Sequence, residues 1–194
     1  EFLSILGPNG VGKSTLFRCM LGLLSGYTGQ VFVDGIDART FSVREAAKHI
    51  AYIPQSSHPI FNYSVFDIVL MGRTSGLSAF RSPGKADMEI CRWAMDKVGI
   101  SQLADRCFHR LSGGEQQLVL IARTLCQNPK AILFDEPTSH LDFRNQALVM
   151  KTLRNLSAKG MTIIMTSHSP AHAWQVSNKT VLMGKGGIIA QGSP

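Results

Sequence analysis

The sequence Gly7-Pro8-Asn9-Gly10-Val11-Gly12-Lys13-Ser14-Thr15 decides the fold, because it fits the pattern G-x-x-x-x-G-K-[ST]. The apolar residues 2–6 precede it and the apolar-periodic residues 16–24 follow it, which gives the strand, loop and helix order of a phosphate-binding loop. In such a loop, backbone N–H groups and the positive end of the helix dipole surround phosphate oxygens. Lys13 adds a point charge, and Ser14 offers a hydroxyl to Mg²⁺. The loop therefore predicts a nucleotide site.

Length and composition favour one globular domain with an insertion. The chain has 194 residues, of which 44% are hydrophobic and 17% charged, as in ordinary globular proteins. No apolar run approaches the roughly 18 residues that a membrane span needs. Because the sequence opens on a predicted core strand, we expect no secretory signal. If the protein works at a membrane, we expect another chain to supply the span.

Charge and cysteine content say less about function. The formal charge of +7 could attract nucleic acid or an anionic membrane. Lysine and arginine are scattered, however, without long runs or interleaved aromatic residues, which favours a solvated basic surface. The cysteines are far apart and form no C-x-x-C pair, so we interpret them as small buried hydrophobic residues in a reducing compartment. They are Cys19, Cys91, Cys107 and Cys126.

The first half of the chain contains patterns that predict several helices and strands. Residues 30–33 alternate before the turn Asp34-Gly35, which predicts a hairpin at the edge of the sheet. Ser42 and Glu45 have the spacing of a capping box, which predicts a short helix over residues 42–49, and residues 50–53 follow as a strand. Helices are then predicted over residues 64–71 and 85–98. In the second of these, Met88 and Met95 are predicted to pack in the core rather than to bind a metal or cofactor.

Two further polar clusters stand at the ends of predicted elements. Ser112, Gly113 and Gly114 open a predicted helix that runs to about residue 126, and such a helix start can bind an anion. The buried strand over residues 131–134 ends in Asp135-Glu136-Pro137. Its two carboxylates would therefore lie at the carboxyl end of a strand, where open α/β sheets bind ligands.

The remaining elements complete an α/β pattern. The turn over residues 139–142, in which His140 is interpreted as a turn residue, leads into a helix over residues 143–156. A buried strand over residues 161–166 then ends in Ser167-His168, and a closing hairpin surrounds Gly186-Gly187. His168 and His172 have a spacing that suggests a metal pair, but Pro170 between them argues against zinc.

Together these motifs resemble the nucleotide-binding domain of ATP-binding-cassette (ABC) ATPases. The loop from Gly7 to Thr15 resembles the Walker A motif, and Gln55 resembles the glutamine of the Q-loop. Residues 111–115, Leu-Ser-Gly-Gly-Glu, resemble the family signature, and residues 132–136 resemble Walker B. The last two motifs are the D-loop at residues 139–142 and the switch histidine at His168. The six motifs occur in the order of the family and cover almost the whole chain.

The resemblance implies a fold and its domains. We expect the α/β fold of P-loop NTPases, with a RecA-like core sheet flanked by helices, an antiparallel edge and an inserted α-helical subdomain. The core would comprise residues 1–55 and 127–194, and the subdomain, which carries the signature, residues 56–126. The family stacks adenine on an aromatic residue N-terminal to Walker A, and only six residues precede Gly7. We therefore expect that residue, and others at both termini, to lie outside this sequence, and we expect ATP to bind weakly.

The resemblance also implies the roles of residues around ATP and Mg²⁺. Lys13 and the loop N–H groups would hold the β- and γ-phosphates, while Ser14 and Asp135, the latter through water, would hold Mg²⁺. Gln55 would reach Mg²⁺ or the attacking water. Glu136 would orient or deprotonate that water, and His168 would contact the γ-phosphate.

A second copy of the chain is implied as well. In this family the signature faces the ATP of a partner, so Ser112, Gly113 and Gly114 would complete the partner's site. The D-loop residue Asp142 belongs to the same nucleotide-binding set. The catalytic unit would then be a dimer with two ATP molecules at its interface.

Three functions are to be distinguished for a chain with a Walker A loop. A small-molecule P-loop kinase has no use for the signature. A soluble cassette ATPase acting on nucleic acid or ribosomes remains an alternative, although Ser14 and Ser112 are only about a hundred residues apart, without the heptads of chromosome and repair ATPases. The favoured function is the ATPase subunit of a membrane transporter, and we expect no specific nucleic acid partner.

A weaker resemblance narrows the transporter class. Residues 64–73, residues 80–84 and the turn at residues 139–142 look like those of importers for iron-siderophores, haem, cobalamin or molybdate. We hypothesise that residues 56–73 form the groove that receives a cytoplasmic helix of a permease and that Gln55 couples this groove to ATP. Permease subunits, and through them a substrate-binding protein, would be partners at the cytoplasmic face of the inner membrane.

Overall fold

The computed structural model describes residues 1–55, 62–76 and 82–194. The hypothesised permease groove therefore falls partly outside the described residues, at residues 56–61, as does part of the segment at residues 80–84. The described chain forms a mixed α/β fold with a six-stranded sheet, a separate hairpin and helices packed around them.

The strands and helices have the following bounds. The strands are β1 Phe2–Leu6, β2 Phe32–Val33, β3 Ile36–Asp37, β4 Ile50–Ile53, β5 Ala131–Asp135, β6 Thr162–Ser167, β7 Lys179–Gly184 and β8 Gly187–Gly192. The helices are α1 Lys13–Met20, α2 Val43–His49, α3 Val65–Leu70, α4 Lys85–Val98, α5 Gly113–Gln127, α6 Phe143–Ala158 and α7 Pro170–Val176.

The topology of the large sheet brings the predicted motifs to one edge. Its strand order is β4-β5-β6-β1-β7-β8, and every neighbouring pair is parallel except β7 with β8, which are antiparallel. Strand β6 lies between β5 and β1, with Thr166 in register with both Asp135 and Ile5. Because parallel strands end at the same edge, the residues that follow β1, β5 and β6 meet there. The predicted α/β fold with an antiparallel edge is confirmed.

Helices α3, α4 and α5 pack on one another beside the sheet. Their contact faces contribute buried residues such as Val65, Met95 and Ile121 to the main hydrophobic cluster. The buried Asp87 at the start of α4 accepts a hydrogen bond of 2.9 Å from Arg73 Nε, and Arg73 Nη1 also donates to the carbonyl of Cys126 at 2.7 Å. These contacts join α4 and α5 to the turn after α3. The division into a core and a subdomain at residues 55/56 and 126/127 stays a prediction.

Three local expectations need correction. The hairpin of β2 and β3 is not at the edge of the large sheet but forms a two-stranded sheet of its own, because its strands are only two residues long and pair with each other. Helix α1 ends at Met20 rather than near residue 24, where the N–H groups of Leu23 and Leu24 both turn back to the carbonyl of Arg18. Cys91 and Cys126 are buried as expected, but Cys19 and Cys107 are partly exposed.

Candidate functional site

A cavity of about 370 Å³ lies at the carboxyl edge of the sheet. It opens in front of the loop between β1 and α1, and it lies within the range of roughly 300 to 1,000 Å³ that is usual for ligand pockets. The cavity brings together six predicted positions of the loop with Gln55 and Glu136 from two other segments. The lining residues are Asn9, Gly10, Gly12, Lys13, Ser14, Thr15, Gln55 and Glu136.

The loop is shaped to leave backbone N–H groups facing the cavity. Gly12 stands at the N-cap of α1 with φ of 105°, a left-handed conformation that favours glycine, and no side chain caps the helix there. The first N–H groups of α1 are therefore available to a ligand, with the positive end of the helix dipole behind them. The buried Lys13 side chain folds back over the loop, and its Nζ donates to the carbonyls of Gly7 at 2.8 Å and Pro8 at 3.1 Å.

Glu136 forms the opposite wall of the cavity. One carboxylate oxygen lies 3.2 Å from Lys13 Nζ, and the other accepts a hydrogen bond of 3.1 Å from His168 Nδ1. The backbone of Glu136 has φ of 48°, which is uncommon for a residue other than glycine, and its N–H donates to Thr166 Oγ1 at 3.0 Å. Strained backbone of this kind clusters at functional sites. The turn therefore holds the carboxylate of Glu136 at the cavity, between Lys13 and His168.

Asp135 lies behind the cavity wall and is almost fully buried. Its Oδ2 accepts a hydrogen bond of 3.1 Å from Tyr52 Oη on β4, and its Oδ1 accepts one of 2.7 Å from Thr166 Oγ1 on β6. Burial, together with the negative charge of Asp135, raises the pKa of Tyr52 to about 12. Tyr52 therefore stays protonated near neutral pH and remains a hydrogen-bond donor to Asp135.

Gln55 connects the cavity to the turn that follows β5. Its Nε2 donates to Ser139 Oγ at 3.4 Å, so two predicted motifs, at residues 55 and 139, meet beside the cavity. Asp142 lies further along the same segment and caps α6, with Oδ1 accepting from Asn145 N–H at 2.8 Å. Asp142 is not a lining residue of this cavity.

The turn that begins α5 lies apart from this cavity. Ser112 Oγ accepts from Glu115 N–H at 3.3 Å, while Glu115 Oε2 accepts from Ser112 N–H at 2.8 Å. This reciprocal arrangement is a capping box, which satisfies the start of the helix from within the chain. None of the three predicted residues Ser112, Gly113 and Gly114 lines the cavity with Lys13.

Comparison with known proteins identifies the family of the chain. The profile of the family described as ABC transporter matches residues 1–139, which is more than half of the chain. The chain belongs to the ABC transporter family. The matched residues include Lys13, Glu136 and Ser112, which are predicted to lie in the Walker A, Walker B and signature motifs.

Three of the similar proteins are named as import ATP-binding proteins. The chain is similar to a molybdate import ATP-binding protein of Haemophilus influenzae, with 39% identity over 95% of this chain and 68% of the relative. It is 33% identical to an iron(3+)-hydroxamate import ATP-binding protein of Bacillus subtilis, covering 100% of this chain and 72% of that protein. A hemin import ATP-binding protein of Hahella chejuensis is 36% identical, with coverage of 100% and 77%.

Solved structures of ABC proteins have the same fold. A chain from the inward-facing conformation of a metal-chelate type ABC transporter superposes with a TM-score of 0.87 at 37% identity, covering 100% of this chain and 73% of that one. An ATP-binding cassette of an ABC transporter in its ADP conformation gives a TM-score of 0.89 at 27% identity, with coverage of 100% and 80%. Among the described residues of this chain, no helix is both long and apolar enough to cross a bilayer.

Sequence reasoning did not identify the residues that support the two carboxylates of Walker B. Tyr52 and Thr166 hold Asp135, and His172 Nδ1 lies 3.4 Å from both Thr138 Oγ1 and Ser167 Oγ, close to His168. Burial and the nearby charge of His168 lower the pKa of His172, which favours its neutral form. Thr166 and Ser167 carry a signal in the sequence, because their hydroxyl groups directly follow the apolar run at residues 163–165. His172 lies in helix α7, which begins at Pro170, whereas His168 precedes that helix.

Proposed function

We propose that this chain is an ATP-hydrolysing subunit that energises an ABC importer. The observation that carries the proposal is the single cavity in which the Walker A loop faces Glu136 and Gln55. Phosphoryl transfer to water depends on positioning and charge stabilisation more than on covalent chemistry. A loop that holds phosphates and a carboxylate that holds water on the opposite wall supply these two requirements.

The contact between Lys13 and Glu136 suggests how nucleotide binding prepares hydrolysis. Lys13 Nζ lies 3.2 Å from a carboxylate oxygen of Glu136, and the two buried charges stabilise each other. When ATP binds, its β- and γ-phosphates take the place of the carboxylate beside Lys13 Nζ. Glu136 is then free to accept a proton from, or orient, the attacking water. His168, which already donates toward Glu136, would contact the γ-phosphate from the same side.

The residues present fit a magnesium ion with ATP. Mg²⁺ prefers oxygen ligands and keeps several waters, and a hydroxyl from Ser14 and a carboxylate from Asp135 offer such oxygens. Both oxygens of Asp135 already accept one hydrogen bond, so Asp135 would hold the ion through water. The amide oxygen of Gln55 would reach the ion or the attacking water. Bound Mg²⁺ would neutralise part of the phosphate charge.

A second copy of the chain would complete the site. The signature residues Ser112, Gly113 and Gly114 do not line the cavity of their own chain, which supports a role at the ATP of a partner. Asp142 at the start of α6 would contribute to the same interface. We therefore propose a dimer with two ATP molecules between its protomers, each bound by one Walker A loop and one signature.

The names of the relatives favour transport over the alternative of a soluble ATPase that acts on nucleic acid or ribosomes. They are import ATP-binding proteins for molybdate, iron(3+)-hydroxamate and hemin. We propose a cargo of the same chemical group, namely a metal chelate such as an iron-siderophore, haem or cobalamin, or molybdate. Permease subunits and a substrate-binding protein would complete the transporter, with this chain peripheral at the cytoplasmic face of the inner membrane.

The Gln55→Ala variant tests the coupling that the proposal assigns to the Q-loop. In vesicles that contain the chain and its permease, wild-type protein should hydrolyse ATP in proportion to cargo transport. Removal of the contact from Gln55 to Ser139 should lower transport more than hydrolysis, by about tenfold. Lys151→Ala, an exposed substitution on α6, serves as the control. An unchanged ratio of transport to hydrolysis in Gln55→Ala would contradict the coupling role, and absence of ATP hydrolysis in wild-type protein would contradict the function itself.

A further inference from the structure

The signature turn packs tightly against the start of α6 in the same chain. A Cβ atom built on Gly114 would overlap the carboxamide of Asn145 and would lie 2.8 Å from its Cβ. A Cβ on Gly113 would lie 3.0 Å from Leu141 Cδ2. Neither glycine has a positive φ, so the close approach of these side chains is the reason that larger residues do not fit. Asn145 and Leu141 therefore set the position of the signature turn.

Asn145 is itself fixed by the residue that caps its helix. Its Nδ2 donates to Asp142 Oδ2 at 2.8 Å, and its backbone N–H donates to Asp142 Oδ1 at 2.8 Å. Only the first of these bonds uses the side chain. The carboxamide of Asn145 thus has one face on Asp142 and the other on Gly114.

The same start of α6 is connected to Glu136. The N–H of Ser139 donates to the carbonyl of Glu136 at 3.1 Å, and the N–H of Leu141 donates to the carbonyl of Thr138 at 3.2 Å. The side chain of Gln146 holds this turn from the helix, because its Nε2 donates to the carbonyls of Thr138 at 3.3 Å and Leu141 at 2.9 Å. The path from Glu136 to Gly114 therefore runs through consecutive contacts of one turn and one helix start.

We propose that Asn145 is a positioning residue that ties the signature turn to the turn carrying Glu136. The inference rests on the proposed dimer, in which Glu136 acts on the ATP of its own chain and the signature acts on the ATP of the partner. The side chain of Asn145 then connects, within one protomer, the turn that carries Glu136 to the signature turn. These two turns serve different ATP sites. Loss of its carboxamide should loosen the signature turn while the Walker A cavity stays intact.

Two substitutions separate this role from general packing. Asn145→Ala removes the carboxamide, while the backbone bond from residue 145 to Asp142 remains possible. Asn145→Asp keeps nearly the same volume against Gly114, and a carboxylate is favoured in the first turn of a helix. It nevertheless replaces the Nδ2 donor by an oxygen that faces Asp142 Oδ2, so the tie is lost without loss of volume. Lys151→Ala, exposed on the same helix, is the control.

The experiment compares ADP binding by calorimetry with steady-state ATP hydrolysis and with ATP-dependent dimer formation. Binding of ADP reports the cavity of a single chain, whereas hydrolysis and dimer formation also need the signature of the partner. We expect both Asn145 variants to bind ADP within about twofold of wild type but to show kcat and dimer affinity lowered about tenfold. Lys151→Ala should match wild type in all three measurements.

The outcomes are distinct. Wild-type kcat in either Asn145 variant would overturn the proposal, and wild-type kcat in Asn145→Asp alone would assign the residue to packing. A parallel loss of ADP binding would also overturn it, because it would indicate damage to the fold. If wild-type protein neither hydrolysed ATP nor formed an ATP-dependent dimer, the proposed function would be wrong. If wild-type protein were active and the Asn145 variants were equally active, only the role of Asn145 would be wrong.

Discussion

The Walker A loop and the signature turn are two versions of the same local structure. Each places glycine at the start of a helix, α1 or α5, where the helix dipole favours an anion. At the Walker A loop no side chain caps α1, and the cavity in front of it contains Lys13 and Glu136. At the signature, Ser112 and Glu115 cap α5 reciprocally, and the turn packs on α6 instead of lining that cavity.

The difference shows that the side chains around the start of a helix determine whether that helix start can bind an anion by itself. The Walker A loop has a cation within it and a carboxylate opposite, so in the proposed function one chain would supply both phosphate binding and a base. The signature turn has its capping needs satisfied internally, and Ser112 Oγ donates to Glu115 at 2.9 Å. A phosphate at the signature would have to compete with this capping box. We therefore expect the Walker A loop to bind nucleotide by itself, and the signature to act only when a partner presents a bound nucleotide.

Lys13→Ala should have the largest effect on nucleotide binding. The substitution removes the cation of the loop and leaves the buried Glu136 carboxylate without its partner at 3.2 Å. We expect ADP and ATP affinity to fall by about a hundredfold or more, measured by calorimetry. Lys151→Ala is the matched control for loss of a lysine from an exposed helix face. Retention of wild-type nucleotide affinity in Lys13→Ala would contradict the expectation that Lys13 lets the Walker A loop, unlike the signature turn, bind nucleotide by itself.

Glu136→Gln should separate binding from hydrolysis at the same cavity. The amide keeps the size of the side chain but cannot act as a base, and it removes the negative charge that competes with phosphate for Lys13. We expect ATP affinity to be retained or increased, hydrolysis to fall by about a hundredfold to a thousandfold, and an ATP-bound dimer to accumulate. Size-exclusion chromatography with ATP and a phosphate-release assay measure these changes. Normal turnover would show that Glu136 is not the general base.

Ser112→Ala should have an intermediate effect that appears only in the dimer. It removes the hydroxyl that caps α5 and that we propose to contact the ATP of the partner. We expect hydrolysis to fall about tenfold, the free energy of unfolding to fall by about 1 kcal/mol, and ADP affinity to remain unchanged. Parallel calorimetry, thermal unfolding and kinetics test the three expectations. A large loss of ADP affinity would mean that Ser112 serves the cavity of its own chain, contrary to the geometry.

Contiguous motifs explain why so much of this site could be predicted from the sequence. The loop from Gly7 to Thr15 and the carboxylates after β5 are short patterns whose local geometry follows from their residues. The capping box of Ser42 and Glu45 was likewise predicted from spacing and is confirmed. Each of these features needs only neighbours in the sequence, so periodicity and turn chemistry suffice to locate it.

Contacts between distant segments could not be predicted in the same way. Tyr52 and Asp135 are 83 positions apart in the sequence. They meet because β4 and β5 are neighbours in the sheet, and the residues of these two strands do not by themselves predict that strand order. Asn145 approaches Gly114 only because α6 begins beside α5. The prediction that places the hairpin of β2 and β3 at the edge of the large sheet is wrong for a related reason. Two-residue strands carry too little pattern to identify their partners.

Tyr52→Phe should have the smallest effect and tests the support behind the cavity rather than the cavity itself. It removes the donor to Asp135 Oδ2 but leaves the bond from Thr166 to Oδ1, so Asp135 loses one of two anchors. We expect hydrolysis to fall about twofold to threefold and the Mg²⁺ concentration for half-maximal rate to rise by a similar factor. Because the pKa of Tyr52 is about 12, the hydroxyl stays protonated from pH 6 to pH 9, and the ratio of wild-type to variant rate should be constant over that range. A ratio that changed with pH would mean that another titrating group, and not the Tyr52 hydrogen bond, governs how Asp135 meets the ion. Hydrolysis at the Walker A cavity would then depend on the charge of that other group, which the contact between Tyr52 and Asp135 does not explain.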